Sequence, residues 1–188
     1  MRADGQEEID HGGPKAAAGA GLFQRLLEPR SPMPPAEDAE LPKGLRVLIV
    51  GNREATRRAL GLTLAPICGI VHMAQSGEDA LRALERTRFD LVFMDAHMPR
   101  MGGVEAVCAL RDRELAGDRT PVVAIASSLS DDDREACGLA GMDGFAAMPV
   151  EAGALFALVK TVVAANRAEL DAASADRLGA GDPRTRFS

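Results

Sequence analysis

Asp95 is the residue of this chain that most needs a chemical explanation. It closes an apolar run in "FDLVFMDAHMPRMGG" (89–103), where Leu91 to Met94 lead straight into a carboxylate, and Met-Pro and two glycines follow. A lone ionised group at the mouth of a buried strand is costly unless it is solvated or paired. The question is what Asp95 is for, and whether the chain still contains the groups that would put it to work. His97, two residues on, would need converging partners for metal or acid–base work. The other histidines are His11, near the N-terminus, and His72, inside an apolar run, so His97 reads as a solvent-facing loop residue. Cys68, Cys108 and Cys137 are odd in number and lie in apolar or helical contexts. They read as small buried thiols of a reducing compartment, and no CxxC or clustered Cys/His spacing supports zinc. No G-x-G-x-x-G or P-loop follows a strand, so the usual phosphate-cradling turns are missing.

The elements that must position Asp95 begin at residue 44. "RVLIV" (46–50), "GIVHMA" (69–74), "DLVFM" (90–94), "PVVAIA" (121–126) and the weaker "DGFAAM" (143–148) are short apolar runs that read as strands. Between them lie helical stretches. One runs from Arg53 to Leu64, one opens at Ser76 with Asp79 three residues on, and one covers "GVEAVCALRDREL" with Val104, Val107, Cys108 and Leu110 along one side. A fourth opens at Ser130 with Asp133, and the last is amphipathic through Leu155, Leu158, Val159 and Val162. Ser followed three residues later by an acid is a helix-start signature. Alternating strands and helices predict an α/β, flavodoxin-like (βα)5 doubly wound parallel sheet in the order 2-1-3-4-5. In such sheets functional groups gather at the carboxyl ends of the strands, beside the switch point between strands 1 and 3. That places Asp95 with Gly51 and Asn52.

The chain has 188 residues, enough for one ordinary domain and two tails. Residues 1–43 hold six of the eleven prolines and five glycines and are expected to be disordered. Within them "GLFQRLLEP" puts Leu22, Phe23, Leu26 and Leu27 on one face of a short amphipathic helix at 21–28, either a transient turn or a docking motif for a groove. Residues 44–166 form the domain, and 167–188 are expected to continue the last helix briefly and then fray. Neither flank is long enough for an output domain of ordinary size. A net charge of −6 without a long basic run argues against nucleic acid. No apolar stretch approaches the ~20 residues of a membrane helix, and the acidic N-terminus lacks a secretory signal, so the cytoplasm is expected.

Residues 45–165 resemble the receiver domains of two-component response regulators, particularly those attached to hybrid sensor kinases. The resemblance rests on "FDLVFMDAHMPRMGGVEA", "TPVVAIAS" and "CGLAGMDGFAAMPVEAGAL". It implies that the Asp95 position accepts a phosphoryl group from a histidine kinase. It also implies an acidic pair after strand 1 to help hold Mg²⁺, a hydroxyl ending strand 4, a lysine ending strand 5, and a cis peptide before Pro149. Phosphoryl transfer rests largely on positioning and charge neutralisation by such groups.

The chain departs from that pattern at each supporting position. The acidic pair is Gly51 and Asn52, the hydroxyl position is Ala126, and the lysine position is Met148; the aromatic position of strand 5 is retained as Phe145. Ser127 follows Ala126, but alternation along a strand turns it to the other face. Glu54 is the nearest remaining carboxylate in sequence, and Arg53 and Arg100 are near enough to pair with Asp95. The expectation is a pseudo-receiver with a vestigial Asp95, weak or absent Mg²⁺ binding, no catalytic residues and no enzymatic activity. It would act by contact with a histidine kinase or another two-component protein through helix 4, strand 5 and helix 5, with Phe145 at the edge. Two alternatives stay open: a working phosphoacceptor at Asp95, and a sensor whose less acidic pocket takes an anion such as a nucleotide.

Overall fold

The computed structural model describes residues 44–115 and 118–179. The segment 1–43, with the short helix expected at 21–28, lies outside the described residues, as does the end of the C-terminal tail. Five strands alternate with five helices: β1 (Leu45–Val50), α1 (Glu54–Leu64), β2 (Cys68–Ala74), α2 (Gly77–Arg86), β3 (Leu91–Asp95), α3 (Gly103–Arg111), β4 (Val122–Ala126), α4 (Asp131–Leu139), β5 (Gly144–Ala147) and α5 (Ala152–Gly179). The strands form one sheet in the expected order β2-β1-β3-β4-β5, and every pair is parallel.

The continuous apolar runs are explained by burial on both faces. Leu48, Val50, Val92, Met94, Val122 and Ala124 point to one side, with Leu81, Val107, Leu110 and Cys137 from α2, α3 and α4. Val47, Ile49, Leu91, Phe93, Val123 and Ile125 point to the other, with Leu60, Leu64, Leu155 and Val159 from α1 and α5. Phe93 is fully buried. The helix-start signatures hold: Ser76 accepts from the Asp79 backbone N–H at 3.2 Å, and Ser130 and Asp133 form a reciprocal capping box.

Three particulars differ from the sequence reading. α3 stops at Arg111, short of "DREL". Arg111 turns instead to the start of β4, donating to the carbonyls of Gly141 and Thr120 and pairing with Asp143 at 3.1 Å. Cys108 is exposed, because the buried stripe of α3 runs through Gly103, Ala106, Val107 and Leu110. Finally, α5 continues to Gly179, well past a brief extension beyond 166. No proline or glycine interrupts it between Gly153 and Gly179, and its Ala, Leu, Glu and Arg content favours helix. None of the helices among the described residues is long and apolar enough to cross a membrane.

Candidate functional site

Asp95 is the last residue of β3, paired in register with Ile125 of β4, and it is half-buried. Its Oδ1 accepts the backbone N–H of His97 at 3.0 Å. Burial pushes its carboxyl above the ordinary 3.8, and the His97 N–H, the His97 ring and the more distant Arg53 each pull it back in part. The chain must turn sharply here, since α3 begins almost against the end of β3. A Cβ on Gly103 would lie 2.4 Å from the Asp95 carbonyl oxygen, so only glycine fits at that helix start.

Gly51 lies directly beside Asp95. A Cβ at Gly51 would sit 3.5 Å from both Cβ and Oδ2 of Asp95, an ordinary contact. The position has room for a side chain and carries none. Asn52 is exposed. Ala126 closes β4 opposite Ala147 of β5; it is buried and offers no hydroxyl, while Ser127 is exposed beyond the strand end. Met148 joins a cis peptide to Pro149, and its backbone N–H is held by the Ala126 carbonyl at 2.8 Å. Its side chain packs against the apolar cluster beneath α1 and α5.

Of the neighbours that sequence proximity nominated, Glu54 and Arg100 are engaged elsewhere. Glu54 is exposed and pairs with Arg58 one turn along α1, at 3.3 Å. Arg100 acts on Glu78, whose carboxyl is held below its usual range by its own backbone N–H, then by the Ser76 hydroxyl, with Arg100 adding. No arginine among the described residues forms an ion pair with Asp95.

Three features went unread in the sequence. Arg57 is 7% exposed and its Nη1 donates to the Gly51 carbonyl, while its Nε has no hydrogen-bond partner. Its place was legible, since Arg57, Leu60, Gly61 and Leu64 share the buried stripe of α1 at helical spacing. His97 reaches across the loop, its Nε2 3.6 Å from Oδ1 of Asp133. That carboxyl is held below its usual range by the Ser130 hydroxyl and backbone N–H, with His97 contributing. On β5, Phe145 is half-buried beneath Arg134, whose guanidinium carbon stands 4.1 Å from the ring centroid. Neither link follows from sequence spacing, because each joins different elements.

A flavodoxin-like sheet with one aspartate at the switch point between β1 and β3 defines the class of domain. Residues 47–160 match the response regulator receiver domain, and the chain belongs to that family. It is 32% identical over 114 residues to the sensory/regulatory protein RpfC of Xanthomonas campestris pathovar campestris, covering 60% of this chain and 16% of that protein. It is 29% identical over 119 residues to the signal transduction histidine-protein kinase BarA of Escherichia coli, covering 63% of this chain and 13% of that protein. The chain therefore spans a small part of these curated relatives. Among solved structures, the receiver domain of the sensor histidine kinase PA1611 from Pseudomonas aeruginosa, determined with magnesium in its active-site cleft, aligns with a TM-score of 0.58 at 28% identity. That alignment covers 64% of this chain and 98% of that domain. The fold and the family are thus those of two-component and phosphorelay receivers.

Proposed function

We propose that this chain is a pseudo-receiver. It keeps the receiver scaffold as a contact surface for a histidine kinase or another two-component protein and does not switch by phosphorylation. What supports this reading is the residue type at each position where the receiver resemblance implies a partner for Asp95. Gly51 contributes no side chain, Asn52 a neutral amide, Ala126 a methyl and Met148 a partly buried apolar chain packed against the core. A hard divalent cation is held through carboxylates and other oxygens, and one half-buried carboxylate that already accepts a backbone N–H is a poor donor set for it. Among the described residues no group of three or more His, Cys, Asp or Glu gathers to hold a metal. The residues present do not fit magnesium. Loss of one charge-stabilising group commonly costs a transfer reaction about 3 kcal/mol; here the cation site, the hydroxyl and the lysine are replaced together.

The surface left for contact is α4, β5 and α5. Leu139 of α4 is 77% exposed, and Phe145 is held in place by Arg134. The rival reading, a working phosphoacceptor, rests on Asp95 itself and on the magnesium in the PA1611 receiver. Intact mass after incubation with acetyl phosphate and Mg²⁺ separates the two. The expected result is no added phosphoryl group in the chain as it stands, and gain of one after Gly51→Asp, Asn52→Asp, Ala126→Thr and Met148→Lys are combined. Magnesium-dependent phosphorylation of the unaltered chain on Asp95, at a rate similar to that of the combined variant, overturns the proposal.

A further inference from the structure

A cleft of about 650 Å³ opens at the end of the sheet opposite Asp95. Arg46 at the start of β1, Phe89 and Asp90 before β3, and Thr120 before β4 all line it, together with the last turns of α2 and α3. One wall comes from α5 beyond the core, through Asn166, Arg167 and Leu170. Its floor is apolar, formed by Leu81, Leu84, Phe89, Leu110, Val163 and Leu170. Its rim is basic. Arg113 is matched by Glu85 at 2.7 Å and Arg88 by Asp118 at 2.7 Å, whereas Arg46, Arg86 and Arg167 have no ion-pair partner among the described residues.

We propose that this cleft is the docking site of the chain's own segment 21–28, "GLFQRLLE". Leu22, Phe23, Leu26 and Leu27 would enter as one apolar helical face. Two observations select this occupant. The first is where the N-terminal stretch meets the sheet. It enters at Leu45, one residue before Arg46, which lines the cleft. The 16 residues from 28 to 43 include five prolines, and a proline-rich stretch of that length spans up to about 50 Å, long enough to bring the segment to the cleft. The second is charge. Glu28 follows the apolar face directly, and Glu37, Asp38 and Glu40 outweigh Arg30 and Lys43 on the connecting stretch, a net charge opposite in sign to the rim arginines that have no ion-pair partner among the described residues. A two-turn helix is marginal alone. A groove stabilises it by accepting its apolar face, and tethering by a linker of this length sets an effective concentration on the order of 1 mM. The proposal does not depend on the state of Asp95.

The chain contains neither tryptophan nor tyrosine, so Phe23→Trp in the intact chain supplies a sole reporter. Its emission is expected to be blue-shifted and shielded from acrylamide. Adding Leu170→Glu, on the part of α5 outside the core, should move the emission to that of an exposed indole. The paired change Arg86→Glu and Arg167→Glu should weaken shielding and leave thermal unfolding of the domain unchanged. Hydrogen exchange on the unaltered chain gives the same reading without a tryptophan. Amides 22–27 should exchange roughly tenfold more slowly than in Leu170→Glu, as an effective concentration tenfold above the dissociation constant requires. Exposed-indole emission in the Phe23→Trp protein together with unprotected amides in the unaltered chain overturns the proposal, as does protection unmoved by either cleft variant. Protection that rises with protein concentration assigns the cleft to a second copy and overturns it too.

Discussion

Asp95 carries a cost that its surroundings only partly offset. Burial raises its carboxyl above 3.8, and the main opposing contact is one backbone N–H from His97. In the unfolded chain the same carboxyl titrates near 3.8, so the folded state binds the proton more tightly. The contribution to stability is therefore full below the unfolded value and is lost as pH rises through the folded one. Asp95→Asn preserves the shape and is neutral throughout. It is expected to unfold at a higher temperature than the parent chain at pH 7, with the gap closing as pH approaches 3.8. Thermal melts across that range check this, and a variant less stable at pH 7 would mean that Asp95 has a stabilising partner after all. The thiols show the same desolvation logic: burial, with Asp90 adding, pushes Cys68 up to about 11, and burial, with Asp133 adding, raises Cys137. Both stay protonated and unreactive at neutral pH.

At the scale of elements, the site depends on how closely α3 begins against β3. Gly103→Ala would place a methyl 2.4 Å from the Asp95 carbonyl and 3.1 Å from the Ala96 Cα. Backbone cannot move aside as a flexible side chain can, and overpacking of this kind costs about 1–3 kcal/mol. Alanine's better helix propensity returns up to about 1 kcal/mol. A net loss of about 1–2 kcal/mol is expected, a fall in melting temperature of several degrees, about 3–6 °C for a domain of this size. An unchanged melting temperature would show that α3 can start elsewhere. What was legible in the sequence follows the same boundary between local and non-local. Leu48, Val92 and Val122 announced the sheet because burial on both faces imposes continuous apolar runs, and Ser76 and Ser130 announced helix starts because a cap is a three-residue interaction. Asp95, Gly51 and Asn52 were placed together by strand order, and Ala126 only by the resemblance to receiver domains. Cys108 was assigned to the wrong side of α3, since a nine-residue helix holds too few apolar positions to fix its stripe. The pairing of His97 with Asp133 and the stacking of Arg134 on Phe145 depend on loop paths between elements, which no local pattern records. The length of α5 past residue 166 went unread because residues 166–175 are mostly exposed and leave no buried stripe to read.

For the whole molecule, the question is whether contact with a partner depends on the chemical state of the site. In a protein that switches, two conformations differ in affinity and the ligand or modification shifts their balance; coupling of this kind typically changes affinity 5- to 150-fold. On the proposed reading, the positions that would join Asp95 to β4 and β5 hold a methyl at Ala126 and a partly buried apolar chain at Met148, and Phe145 is already held by Arg134 on the α4 side. The α4–β5–α5 face should therefore exist in one form. Titration of a cognate histidine kinase or phosphotransfer protein should give the same dissociation constant for the parent chain and for Asp95→Asn, within about twofold or ~0.4 kcal/mol. Acetyl phosphate and Mg²⁺ should leave it unchanged. Leu139→Asp and Phe145→Ala, which alter the face and leave Asp95 in place, should weaken binding by about tenfold or more, equivalent to ~1.4 kcal/mol. The reverse pattern, sensitivity to Asp95 and indifference to Leu139 and Phe145, would mean that the carboxylate and not the surface carries the signal. The scaffold would then have to transmit a change through Ala126 and Met148, two side chains with no polar atom near enough in kind to feel it.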